Sequence, residues 1–86
     1  MTANDKTPTG VHELFRYWRD DEVRVYNLHV VAGGVELWRV INYPDASPAA
    51  VLEERFNSAD TAATFIHEVE RTLDAGGWRR VSPDGQ

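Results

Sequence analysis

The chain has 86 residues, a net charge of −5 and no cysteine. That length holds one hydrophobic core and no second one, and the missing thiols exclude disulfides, thiolate metal sites and cysteine nucleophiles. The apolar share of 42%, with three Trp, three Tyr and three Phe, is that of a globular protein and not of a disordered chain. The basic residues are eight Arg against one Lys, a bias towards planar, bidentate and stacked contacts. A surplus of acid opposes non-specific nucleic-acid binding and suits a basic protein surface. No apolar run reaches the ~18 residues of a membrane span and the N-terminus lacks a signal-peptide core, so a cytoplasmic location is expected.

Residues 1–10 are expected to form a tail, 11–81 a single domain and 82–86 a second tail; Met1 to Thr9 carries no large apolar side chain after the initiator. Val11 to Asp20 fits two patterns. Val11, Leu14, Phe15 and Trp18 have helical spacing, whereas Leu14, Arg16 and Trp18 alternate with His12 as in a strand. Arg19-Asp20-Asp21-Glu22 makes a turn, and a strand entering a hairpin is the reading adopted. Val23 to Val31 is the most β-prone stretch. Gly33-Gly34 supplies positive φ angles for a tight hairpin. In Val35 to Tyr43, Val35, Leu37, Ile41 and Tyr43 share one face; Glu36, Trp38, Val40 and Asn42 share the other. Pro44 to Pro48 reads as a loop. Ala49 to Phe56 divides the signals: Ser47-Pro48-Ala-Ala favours a helix start, while Leu52, Glu54 and Phe56 alternate as a strand, and strand is expected over 50–56.

Ser58 to Trp78 is the clearest element. Ala62, Phe65, Ile66, Val69 and Leu73 make one helical stripe. Ser58 is the expected N-cap and Asp60 places charge at the positive end of the helix dipole. Gly77 as a left-handed residue would return Trp78 onto Leu73 in a Schellman cap. A lone helix of this length is marginal in water and needs a sheet to cover its stripe. Arg79-Arg80-Val81 can add an edge strand. The fold class is therefore α+β: an antiparallel sheet of three to five strands in a meander, with one C-terminal α-helix packed on the face that carries Val35, Leu37 and Ile41.

No catalytic, cofactor or metal site is expected. His12, His29 and His67 lack partners at ligand spacing, Asp20-Asp21-Glu22 lacks calcium-loop spacing, and Glu53 and Glu54 point to opposite sides of a strand. An enzyme would need His29 and His67 to converge with a carboxylate. The constellation above background is Trp beside Arg: Arg16 with Trp18, Trp38 with Arg39, and Trp78 with Arg79-Arg80. These are the residue types most often found at binding hot spots.

Val-Arg-Val-Tyr-Asn-Leu (23–28), the Gly-Gly hairpin, the Trp- and Arg-bearing strand (35–41), Phe56-Asn57-Ser58 and Gly-Gly-Trp (76–78) occur in an order that resembles the WGR domain. Trp38-Arg39-Val40 stands in place of the family's Trp-Gly-Arg, and neutral or acidic residues replace its DNA-facing lysines. The resemblance implies a small antiparallel sheet followed by one helix, with Trp38 and Arg39 as binding residues and nucleic acid as the ligand. The residues themselves favour a non-catalytic interaction protein. It would bind a protein partner, such as a basic nucleic-acid-handling protein, as a regulator or inhibitor. Arg16, Trp18, Trp38, Arg39, Asp20, Asp21 and Glu22 are the expected contact residues.

Overall fold

A computed structural model describes residues 10–81. Of the expected tails, 1–10 and 82–86, residues 1–9 and 82–86 lie outside the described residues, while Gly10 is described and joins the folded domain. Four strands run as an antiparallel meander: β1 (Val11–Arg19), β2 (Glu22–Val31), β3 (Gly34–Tyr43) and β4 (Ala46–Phe56). Helix α1 (Ala59–Ala75) then crosses one face of the sheet, and the short strand β5 (Arg79–Arg80) pairs with β1, giving the order β4-β3-β2-β1-β5. The α+β fold expected from the sequence is the one observed.

Both ends of α1 follow from its sequence. Ser58 is extended and its hydroxyl accepts from Thr61 N–H. At the other end Gly77 adopts φ 84°, Trp78 N–H donates to the Leu73 carbonyl over 3.1 Å, and Gly77 N–H donates to Asp74 over 3.3 Å. That pair of bonds is the Schellman cap. It delivers Trp78 to the core beside Leu73, Phe15, Tyr17, Tyr26 and Leu37, with Phe65, Ile66 and Val69 of the stripe packed around them. Leu37 is fully buried, so the stripe does meet the expected face of β3. The indole of Trp78 has Arg24 at 4.4 Å and Arg19 at 4.8 Å from its ring. Its guanidinium neighbours are therefore those of β1 and β2 and not the adjoining Arg79 and Arg80.

Two bulges explain where simple alternation breaks. Glu13 stands opposite Asn27 but Phe15 opposite Tyr26, so Leu14 is the extra residue. It packs against the core, while Arg16 and Trp18 resume alternation. Adjacent Leu14 and Phe15 both turning inward is what imitates a helical pattern in the sequence. In β4 the register shifts between Leu37 and Trp38, whose partners are Glu54 and Leu52. Glu54 thus shares Leu37's face, and Glu53 reaches Arg39 on that same side, Nε to Oε2 2.9 Å. The two glutamates do not point to opposite sides, because a bulged residue escapes the period of two.

The expected loop over Pro44 to Pro48 is shorter. Tyr43 pairs with Ala46, so only Pro44-Asp45 turn, and Ser47 and Pro48 belong to β4. An outer strand tolerates a proline because one side of its backbone needs no partner within the sheet. The β2–β3 loop is also tighter than Gly33-Gly34 suggests. Val31 pairs with Gly34, leaving Ala32-Gly33 as the turn, with only Gly33 at positive φ, 86°. Gly34 serves another purpose: a Cβ there would overlap the Phe56 carbonyl oxygen. Gly10 is buried, and its carbonyl accepts from Val30 N–H.

Candidate functional site: the open face of the sheet

One helix covers one face of the sheet; among the described residues nothing covers the other. Cross-strand partners share a face and alternate residues reverse it, so the register assigns its members. Rows across the sheet read Arg79, Trp18, Val23, Asn42; then Arg16, Val25, Val40, Ala50; then Glu13, Asn27, Trp38, Leu52; then Val11, His29, Glu36, Arg55. Trp18 is 42% exposed and Leu52 39%, whereas Val25 at the centre is closed in by its neighbours. The result is an apolar and aromatic strip on a surface that is otherwise polar. Patches of this kind mark interaction surfaces more often than they occur by chance.

Trp38 is held in place on this face. Its indole N–H donates to Glu36 Oε1 over 3.0 Å, and the His29 ring stacks on it at 5.4 Å with 23° between the planes. The second oxygen of Glu36 accepts two bonds from Arg55, at 2.6 and 3.0 Å. The indole N–H and then the guanidinium hold the Glu36 carboxyl below its ordinary pKa. On β1 the Arg16 guanidinium makes a forked pair with Glu13, at 2.7 and 3.0 Å, which lowers the pKa of Glu13 and raises that of Arg16. An aromatic fixed by packing and hydrogen bonds loses little freedom on binding, which favours its use as an anchor.

The charges are segregated. The open face carries Arg16, Arg55 and Arg79 against Glu13 and Glu36, close to balance, although the chain as a whole is at −5. Asp20 and Asp21, in the β1–β2 turn, and Asp45, in the β3–β4 turn, stand at one end of the sheet, the end of Trp18, Val23 and Asn42. Asp20 has φ 55°, a left-handed position that aspartate tolerates better than most residues, which explains an acid there on structural grounds alone.

The expected contact residues therefore separate. Arg16, Trp18 and Trp38 share the open face, with Asp20 and Asp21 at its rim. Arg39 does not join Trp38, since neighbours along a strand face opposite ways: it lies under α1, ion-paired with Glu53, both interacting atoms shut off from solvent. Glu22 pairs with Arg24 on the helix side. His29 and His67 are also divided, His29 on the open face and His67 on the exposed side of α1 near Glu70. Among the described residues no three His, Asp or Glu side chains are grouped to hold a metal ion. No described helix is long and apolar enough to cross a membrane.

Sequence reasoning missed His29, Glu36 and Arg55 as members of the site. Their signal was available only through register, because Glu36 and Arg55 are 19 positions apart and meet across β3 and β4. A cleft of about 310 Å3 between α1 and the sheet is lined by Arg24, Tyr26, Arg39, Phe65, Val69 and Thr72, among others. Both of its guanidinium groups are already engaged, by Glu22 and Glu53, so it offers an incoming anion little.

Compared with known proteins, the chain matches no family model, no curated protein and no solved structure.

Proposed function

We propose that the protein is a small non-catalytic interaction module that binds a basic segment of another protein through the open face of its sheet. The observation that carries this reading is the uncovered strip of Trp18, Val25, Val40, Trp38 and Leu52 with an acidic rim beyond Trp18. The tryptophans supply apolar area at low entropic cost. Asp20, Asp21 and Asp45 supply attraction for lysine or arginine on the partner, and a nucleic-acid-handling protein is one natural source of such a segment. Regulation or inhibition of that partner would follow from occupying its basic surface.

The same face supports a second reading, a WGR-like nucleic-acid module, through the His29–Trp38 stack and the exposed Trp18, since aromatic faces also receive bases. Phosphates would meet Glu13 and Glu36, which already hold Arg16 and Arg55, and Arg39 faces away from Trp38. The protein reading is preferred for that reason.

Affinity capture from native lysate separates the readings when three baits are compared: the wild-type chain, Trp18→Ser with Trp38→Ser, and the helix-surface variant Glu68→Ala. The proposal expects a basic protein retained by the wild type and by Glu68→Ala and lost with the double variant. Failure to retain any specific partner, or retention that ignores both tryptophans, contradicts it. Single-stranded nucleic acid retarded at low salt and released steeply as salt rises would favour the second reading.

A further inference from the structure

β4 is the outer strand of the sheet and it is unusually long, 11 residues from Ala46 to Phe56. Its outer edge has no strand partner among the described residues. Natural edges of this length are commonly protected by charged side chains, bulges or prolines. Here such devices sit only at the ends: Pro48 and one register shift before Ala49, and the other shift and Glu53-Glu54-Arg55 after Leu52. Between them Ala49-Ala50-Val51-Leu52 is regular, uncharged and exposed, with Val51 at 38% and Leu52 at 39%. Val51 projects to the helix side with Arg39, and Leu52 to the open face with Trp38.

We infer that this edge pairs with the same edge of a second copy of the chain, β4 against β4 antiparallel about a two-fold axis at Val51. Self-complementarity selects that occupant. A two-fold axis normal to the sheet joins antiparallel strands only when facing residues project to the same side. Centred on Val51, it sets Val51 against Val51 and Ala50 against Leu52, and brings Glu53 opposite Ala49, so no like charges face one another. Centred on Leu52, it would oppose Val51 with Glu53. Centred on Ala50, it would oppose Leu52 with Pro48 at the bulged end. The backbone groups left free along the edge supply the bonding, as in strand addition generally. Both helices then lie on one side, and the two open faces join into one surface across Leu52. This pairing stands apart from the proposal for the open face, because it uses an edge and needs no tryptophan.

Sedimentation equilibrium of the full chain tests it. The wild type should sediment at twice its 9.7 kDa, and Val51→Lys should sediment as a monomer with an unchanged circular-dichroism spectrum, since the side chain is exposed. Because the chain has no cysteine, Val51→Cys gives an independent readout. Directly opposed Cβ atoms in such a pair lie about 4.5–5.5 Å apart, close enough for a small adjustment to form a disulfide. Oxidation should yield covalent dimer from Val51→Cys and little from Thr64→Cys on the exposed side of α1. A wild type that stays monomeric at every concentration overturns the inference. So does a dimer that survives Val51→Lys and cross-links equally well from Thr64→Cys.

Discussion

Removing the indole of Trp78 tests how the two layers are joined. Trp78 is 8% exposed, reaches the core through the Schellman cap, and lies against the guanidinium groups of Arg19 and Arg24. Arg19 is itself fixed by a 2.9 Å bond to the Gly76 carbonyl, so strand, cap and ring form one unit. A core Trp→Ala substitution costs about 3–5 kcal/mol, and each partly desolvated cation–π contact adds about 0.5–1 kcal/mol. Some of the latter is already inside the former, so the expected loss for Trp78→Ala is about 4–5 kcal/mol. A domain of this size has roughly 4–13 kcal/mol in total, so the loss takes about a third of that stability at the upper end and all of it at the lower. Urea denaturation followed by far-ultraviolet circular dichroism measures it, with Trp78→Phe as the milder variant should the alanine form fail to fold. Trp78→Phe should lose less than half as much, and Arg24→Met, which keeps the stem but not the charge, about 0.5–1 kcal/mol. A loss under about 1 kcal/mol for Trp78→Ala, the range of surface substitutions, would refute the view that this side chain clamps α1 to β1 and β2.

Gly34→Ala should cost about 3 kcal/mol or more, at or beyond the upper end for overpacking, because its methyl would overlap backbone oxygen and not a flexible side chain; thermal denaturation reads this directly. The pH dependence of the open face follows from Glu36. Its folded pKa is depressed by the Trp38 N–H and by Arg55, so its contribution is present above the unfolded value and is lost as pH falls through the folded one. The Trp38 indole N–H resonance should therefore hold its position through the usual carboxylate range and move only below it, and Glu36→Gln should abolish that step.

Much of the architecture was legible because it rests on period. The α1 stripe, the alternation of β3 and the Ser58 and Gly77 caps are local consequences of which residues follow one another. The strand reading of 50–56 succeeded against a plausible helix start because Leu52 and Phe56 serve a sheet, and tertiary pairing outweighs the local preference of Ser47-Pro48-Ala-Ala. What period cannot reveal is where it slips. The extra residue at Leu14 and the bulge after Leu52 change the side on which Leu14 and Glu53 emerge, and neither position carries a glycine or proline to mark it. Arg39 illustrates the related error. Adjacency in sequence suggested a Trp–Arg pair, yet adjacency in a strand is what separates Trp38 from Arg39. Members of the site that meet through register, such as Glu36 with Arg55, become visible only when the strands are placed side by side.

Among the described residues a single helix closes one side of the sheet while the other side stays bare. Oxidative footprinting of the three tryptophans in the native chain addresses this in one experiment. Trp18 should react fastest, Trp38 more slowly because Glu36 and His29 hold its ring, and Trp78 only when the protein unfolds. Native reactivity of Trp78 equal to that of Trp18, or protection of Trp18 in the free chain, would contradict the account.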